Sequence, residues 1–247
     1  MSIASTDTEI EYPDSDGQPI AENTLQFEWI TRLHGNLEVI FGNDPDVFVA
    51  ADLLWYPVEG NNQLRIAPDA MVVFGRPKGH RGSYLQWRED GIAPQVVFEV
   101  LSPGNRLSEM IRKFQHYEEL GVEEYYVIDP DRLKLEGWIR SDDELRAIDE
   151  MNGWTSPRLS IRFERRSDDI VIYRPDGSRF LTFSELNAAT QREREVARLE
   201  AERADAESVR ADAEAERADA ESVRADAEAA RAERLAARLR ELGENPD

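Results

Sequence analysis

The chain has 247 residues, no cysteine, a hydrophobic fraction of 40% and a formal net charge of −21. Without cysteine there are no disulfides, thiolate metal sites or cysteine nucleophiles, and the acidic balance argues against a broad electrostatic surface for nucleic acid. The three histidines are too dispersed for a zinc pattern. There is no basic-then-apolar leader and no run of roughly 18 apolar residues, so a cytoplasmic chain without a membrane span is expected.

Residues 1–20 are polar and turn-rich, which reads as a flexible arm. Over 22–42, Leu25, Trp29, Leu33 and Leu37 recur four apart, the spacing of a helix, with Asn23 or Thr24 able to cap it. Phe48 to Trp55 and Leu64 to Phe74 alternate or run apolar, and Glu59-Gly60-Asn61-Asn62 between them resembles a hairpin turn. A glycine- and arginine-rich loop covers 75–91. The strand expected over 95–101 stops at Ser102-Pro103-Gly104-Asn105, and a helix over 106–120 ends at Gly121. With a further strand at 124–129, this is the pattern of a right-handed crossover between parallel strands, and the preceding hairpin makes the sheet mixed. Short antiparallel strands at Leu133–Ile139, Ile161–Arg165 and Ile170–Tyr173 continue the same α/β domain.

Beyond about residue 183 the character changes. Residues 203–216 recur almost unchanged at 217–230, two heptads each, so a long helix with coiled-coil periodicity is expected. Its seam is Ala206, Val209, Ala213, Glu216, Ala220, Val223, Ala227 and Ala230. Alanine buries little area and Glu216 interrupts the stripe. A solvated single helix held by propensity and Glu–Arg pairs and a weak homo-oligomer both remain open. The expected division is an arm at 1–20, an α/β domain at 21–183 and a helical tail at 184–247. Only three of the 30 basic residues are lysine; such acid-rich chains suit a salty cytoplasm that screens repulsion over a few ångströms, and a halophilic source is a further expectation.

Three residues carry chemistry. Asp69 stands just ahead of an apolar run, and Glu99 stands inside one, Val96-Val97-Phe98-Glu99-Val100-Leu101. A strand buried on both faces reads as such a run, and a carboxylate within it is costly unless paired or metal-bound. Lys113 lies three residues after Met110 and four before Tyr117, so it borders the packed face of its helix, where it needs an anion or a route to solvent. Mg²⁺ takes oxygen ligands and often only one or two carboxylates. Asp69, Glu99 and the backbone carbonyl of Val100 supply such a set, with Mn²⁺ a possible substitute. Lys113 would orient water or stabilise charge on phosphate. Taken singly, Asp69 could be a turn residue, Glu99 a partner of Arg106 or Arg112, and Lys113 a snorkelling helix-edge side chain. In the glycine-rich loop, Arg76, Lys78 and Arg81 are candidates for contact with a nucleic-acid backbone.

These segments resemble the nuclease superfamily named for its PD-(D/E)XK motif, and more closely the Uma-type (Uma two) family of proposed restriction endonucleases. The resemblance rests on Tyr12 to Gly17, Ala67-Pro68-Asp69, Val97 to Pro103, Lys113 to Tyr117 and Gly121 to Pro130, and spans roughly residues 12–185. It implies a restriction-endonuclease-like core, a mixed β-sheet flanked by helices, with Mg²⁺ at the acidic pair: Asp69 as first ligand and Glu99 as second. The superfamily's usual lysine lies two residues after the second acid, where this chain has Leu101, so Lys113 would be a migrated equivalent. An acid on the first helix often assists; Glu22 or Glu28 could serve, with Glu22 preferred. The implied function is a Mg²⁺-dependent DNA endonuclease. The alternatives are a catalytically inactive nuclease-like scaffold acting through its tail, and hydrolysis of another phosphoester such as RNA or a nucleotide.

Overall fold

Asn23 opens the first helix by accepting a hydrogen bond from the Gln26 N–H at 2.8 Å, which satisfies one of the donors that a helix start leaves unpaired. In the computed structural model, which describes residues 10–15, 17 and 19–241, helix α1 (Thr24–Ile40) buries Trp29, Ile30, Leu33 and Leu37. The chain continues through β1 (Val47–Ala50), β2 (Trp55–Tyr56), β3 (Ala70–Phe74), β4 (Tyr84–Leu85) and β5 (Val96–Val100) to α2 (Leu107–Glu119). Then follow β6 (Glu124–Asp129), β7 (Lys134–Ser141), β8 (Glu144–Ala147), β9 (Arg162–Arg165), β10 (Ile170–Tyr173) and α3 (Phe183–Glu241).

The central sheet has the order β1-β3-β5-β6-β7-β8. β5 and β6, the two strands joined by α2, are parallel; the remaining neighbours in that sheet pair antiparallel. It is the mixed sheet that the strand–helix–strand pattern implies. Its two faces follow from the two-residue alternation of a strand. Val72, Phe98, Val100, Tyr126 and Ile128 pack beneath α1 and the β9–β10 ribbon. Met71, Val73, Val97, Tyr125 and Val127 pack toward Tyr117 of α2 and the short β2–β4 pair.

Three details depart from the sequence reading. β1 pairs with β3 as the expected hairpin requires, but the chain between them leaves the sheet: Asp52 takes a φ of +49°, and Trp55 pairs in parallel with Tyr84. β8 was not expected, because an edge strand with only Leu145 buried has almost no apolar signal. The third concerns the arm. Its described part is tied down where the Pro13 carbonyl accepts from the Tyr56 hydroxyl at 2.9 Å and the Tyr12 hydroxyl accepts from the Gly60 N–H at 2.6 Å. Tyr12 also packs against Tyr56 and Trp87, so its aromatic area, rather than the polar composition around it, decides the outcome.

The molecule divides into two units, residues 1–186 and 187–247. The second is helix through Glu241, with exposed side chains along nearly all its described length. Arg198 bridges Glu195 and Glu202, one turn away on either side. No helix among the described residues is long and apolar enough to cross a membrane.

Candidate active site

Register brings the two acids together. Ala70 stands opposite Phe98 across the antiparallel β3–β5 pair, and one step further the Asp69 Oδ2 accepts from the Val100 N–H at 2.6 Å. Alternation then sets direction: Asp69 shares a face with Met71, and Glu99 with Val97 and Leu101, the face that α2 covers. From α2, the Lys113 Nζ donates to Glu99 Oε2 at 2.8 Å and to the Ala67 carbonyl at 3.2 Å. One turn on, the Tyr117 hydroxyl donates to Glu99 Oε1 at 2.5 Å. Glu99 is only 3% exposed, and these charge-assisted bonds offset the cost of burying it. Its partner is therefore Lys113, and neither Arg106 nor Arg112 pairs with it.

The charges in this cluster do not balance. Burial, followed by the charge of Glu99, holds the Asp69 carboxyl well above its ordinary range, against the opposing pull of Lys113 and the Val100 N–H. Burial alone would lower the Lys113 ammonium, but Glu99 and Asp69 outweigh it and the net displacement is upward. Burial and then Glu99 push the Tyr117 hydroxyl well up, so it stays a protonated donor. Two carboxylates thus converge on one lysine, and the partly buried Asp69 is the under-compensated member.

Around them lies a cleft of about 600 Å³ lined by Asp69 and Lys113 together with Glu22, Gln26 and Asp52. Gln26 joins α1 to the site: its Nε2 donates to the Val100 carbonyl at 2.8 Å and its Oε1 accepts from the Glu22 N–H at 2.8 Å. That carbonyl, an expected ligand, has one lone pair engaged and one remaining. Glu22 precedes the helix rather than lying on it; its carboxylate accepts from the Ser102 hydroxyl and approaches Gly104 so closely that a Cβ there would collide with it. Glu28 is exposed and does not line the cleft.

Gln26, Tyr117 and Asp52 were not singled out for the site by sequence. The first two carried a signal. Gln26 is a polar residue on the buried stripe of α1, three before Trp29 and seven before Leu33, and Tyr117 follows Lys113 by one turn. Asp52 carried none, because its place depends on the turn that takes the chain out of the sheet.

The basic loop is arranged differently from the expectation of a solvated contact surface. Arg81 and Arg76 both bind Glu89, at 2.6 and 3.0 Å, and Arg76 also pairs with Asp90. The Arg81 guanidinium lies 4.0 Å from the centre of the Phe48 ring. Lys78 lies 3.8 Å from Glu38. Two charges that looked available, Arg76 and Arg81, are engaged within the domain; the Lys78 Nζ is buried near Glu38 without a hydrogen bond to it, and none of the three lines the cleft.

Among the described residues no group of three or more Asp, Glu or His side chains is placed to hold a metal ion. What is present, two carboxylates and a carbonyl, matches the small protein donor set that Mg²⁺ takes when water completes its shell. The raised Asp69 is the observation that fits a cation, because a divalent charge would relieve the repulsion that holds that carboxyl up.

A mixed sheet with paired carboxylates at adjoining strands, and a lysine reaching one of them from the next helix, defines an α/β protein with a buried acid–lysine cluster beside a cleft. The model of the Uma2 family, described as "Putative restriction endonuclease", matches residues 2–182, and the chain belongs to that family. No curated protein matches it. Among solved structures it is similar to one described as a putative nuclease belonging to DUF820 from Anabaena variabilis, at 16% identity and a TM-score of 0.43, over 56% of this chain and 75% of that one.

Proposed function

We propose that the chain is a cytoplasmic, Mg²⁺-dependent DNA endonuclease with a restriction-endonuclease-like core, in which Asp69, Glu99 and the Val100 carbonyl hold the metal. The observation that carries the reading is the convergence of Asp69 and Glu99 on one face of the sheet, with Lys113 bound to Glu99 and its charge acting on Asp69. A bound divalent ion would supply charge stabilisation on the phosphoryl oxygens and acidify water. The chain's own residues do the rest. Tyr117 and Lys113 fix the Glu99 carboxylate from two sides, Gln26 fixes the Val100 carbonyl, and Lys113 carries a positive charge at the cleft wall that can orient water or meet charge on the phosphate. Glu22, across the Gln26 amide, is a further acid at the cleft, beside Asp52 and Glu109.

The test is cleavage of mixed DNA substrates with Mg²⁺ or Mn²⁺. Asp69→Ala and Glu99→Ala should each abolish metal-stimulated cleavage, and undiminished activity in both would sink the site assignment. Cleavage confined to RNA or nucleotides would keep the site and change the substrate. One observation favours a second reading, an inactive scaffold acting through its tail: Val209 and Val223 occupy the same place in the two repeats and are 67% and 68% exposed. Absence of Mg²⁺ or Mn²⁺ binding by calorimetry, together with self-association through the tail, would favour it.

A further inference from the structure

Resting on the endonuclease reading, we propose that Arg65 and Arg112 are the phosphate-contacting residues of the cleft, and that the nucleic acid they hold is gripped through its backbone alone. A chain of net charge −21 gains nothing from long-range attraction to a polyanion, so its grip must be local. Of the loop cations that the sequence offers for this task, Arg76 and Arg81 are committed to Glu89 and Asp90, and the Lys78 Nζ is buried away from the cleft.

Arg65 and Arg112 line the same cleft as Asp69 and Lys113, and both are exposed. Neither makes an ion pair among the described residues. Arg65 Nη1 donates to the Asn62 carbonyl at 3.1 Å; the Arg112 side chain makes no hydrogen bond among the described residues. Each is also carried on a fixed element. The Ile66 N–H and carbonyl bond Trp55, which pins the chain immediately beyond Arg65, and Arg112 precedes Lys113 on α2. Guanidinium is the group best shaped to bind phosphate through two parallel hydrogen bonds. No phenylalanine, tyrosine or tryptophan lines the cleft among the described residues, and His116 is its one aromatic ring, so there is no broad platform on which successive bases could stack. Contacts of this kind position a strand without reading its sequence.

Glu22, Asp52 and Glu109 also line the cleft, so without a divalent cation beside Asp69 the acids there outnumber the fixed cations. Binding itself, and not only cleavage, is therefore cation-dependent.

The experiment is fluorescence anisotropy of labelled DNA with the full chain, in Ca²⁺ and in EDTA, across a salt series. The wild type should bind in Ca²⁺ and lose at least tenfold in affinity in EDTA. Arg65→Gln and Arg112→Gln should each reduce the slope of log K against log salt by about 0.9 on duplex DNA, or about 0.7 on a single strand. Arg146→Gln, at an exposed arginine of β8 outside the cleft, should leave the slope unchanged. Thermal melts of every variant establish that each is folded. If the wild type binds but the double variant keeps its slope, the arginine assignment is overturned and the endonuclease reading stands. If binding is equally tight in EDTA, the cation-gated grip is overturned. If the wild type binds no DNA in Ca²⁺ or Mg²⁺, the assignment falls together with the reading on which it rests.

Discussion

Asp69→Asn separates a cation-seeking carboxylate from an ordinary structural hydrogen-bond acceptor. Asparagine keeps the shape of the side chain and an oxygen that can accept from the Val100 N–H, the bond of 2.6 Å in the native protein. It removes a charge that burial and Glu99 make unfavourable. In EDTA at neutral pH the variant should therefore be more stable than the wild type, and each kcal/mol gained raises Tm by about 2–4 °C in a domain of this size.

The pH dependence fixes the sign. The native state holds the Asp69 proton more tightly than the unfolded chain, whose carboxyl titrates near its ordinary value of 3.8. Stability attributable to that proton is fully present below 3.8 and is lost as pH rises through the higher native value. The advantage of Asp69→Asn should therefore be larger at pH 8 than at pH 6 and shrink toward nothing near pH 4. Adding Mg²⁺ reverses the comparison. A ligand at 100 times its Kd stabilises by about 2.7 kcal/mol, and only the wild type should gain it. Differential scanning calorimetry at these pH values, with EDTA or with Mg²⁺, measures all of these. A variant less stable than wild type in EDTA at pH 8, or one that gains as much from Mg²⁺, would refute the argument that Asp69 is held ready for a cation.

Tyr117→Phe keeps a fully buried ring stacked near Trp55 but removes the donor to Glu99 Oε1. It should cost about 1–3 kcal/mol and weaken Mg²⁺ or Mn²⁺ binding by about 10–100-fold in calorimetry; unchanged metal affinity would reduce Tyr117 to packing. Arg81 first, and Arg76 with it, hold the Glu89 carboxyl below its ordinary value of 4.5, so its stabilisation is present above that value and lost as pH falls through the native one. Glu89→Gln should therefore cost about 1–2 kcal/mol at pH 7 and progressively less in acid, read from urea denaturation; an equal cost at pH 3 would contradict the ion-pair assignment. If the tail self-associates through its repeat seam, Val209→Glu with Val223→Glu should abolish concentration dependence in sedimentation equilibrium, and a wild type that is monomeric at all concentrations removes that premise.

Elements with a period were legible in the sequence. The four-residue recurrence in α1, the unbroken apolar run of β5 and the Gly121 stop after α2 each reflect local physics that packing reinforces. Less was legible where placement depends on partners distant in the chain. Tyr12 lies in a segment of loop composition and is held by Tyr56, Gly60 and Trp87. Arg76 and Arg81 read as a free basic patch because their partner Glu89, though only 13 and 8 residues away, is brought back to them by the fold of the loop. The site divides in the same way. The meeting of Glu99 with Lys113 was legible because an acid in a buried strand is costly and a lysine at a helix edge needs an anion. Asp52 was not, since nothing local marks the turn that carries it to the cleft.

The proposed displacement of the lysine from position 101 to 113 has a physical basis in the same alternation. Glu99 and Leu101 point to one side of β5, so a lysine at either 101 or on the covering helix can address the same carboxylate. Leu101 instead packs with the apolar cluster between sheet and helix, alongside Met110 and Phe114, and so helps to seat α2. Once α2 is seated by Tyr117, with Leu101, Met110 and Phe114 packed around it, residue 113 lies one turn before Tyr117 and within 2.8 Å of Glu99 Oε2. The helix then supplies both donors to the two oxygens of one carboxylate from residues four apart, which a lysine on the strand could not do. In the proposed site the arrangement keeps a cation beside two acids. A motif counted along the strand misses it, whereas the face of the sheet and the face of the helix together locate it.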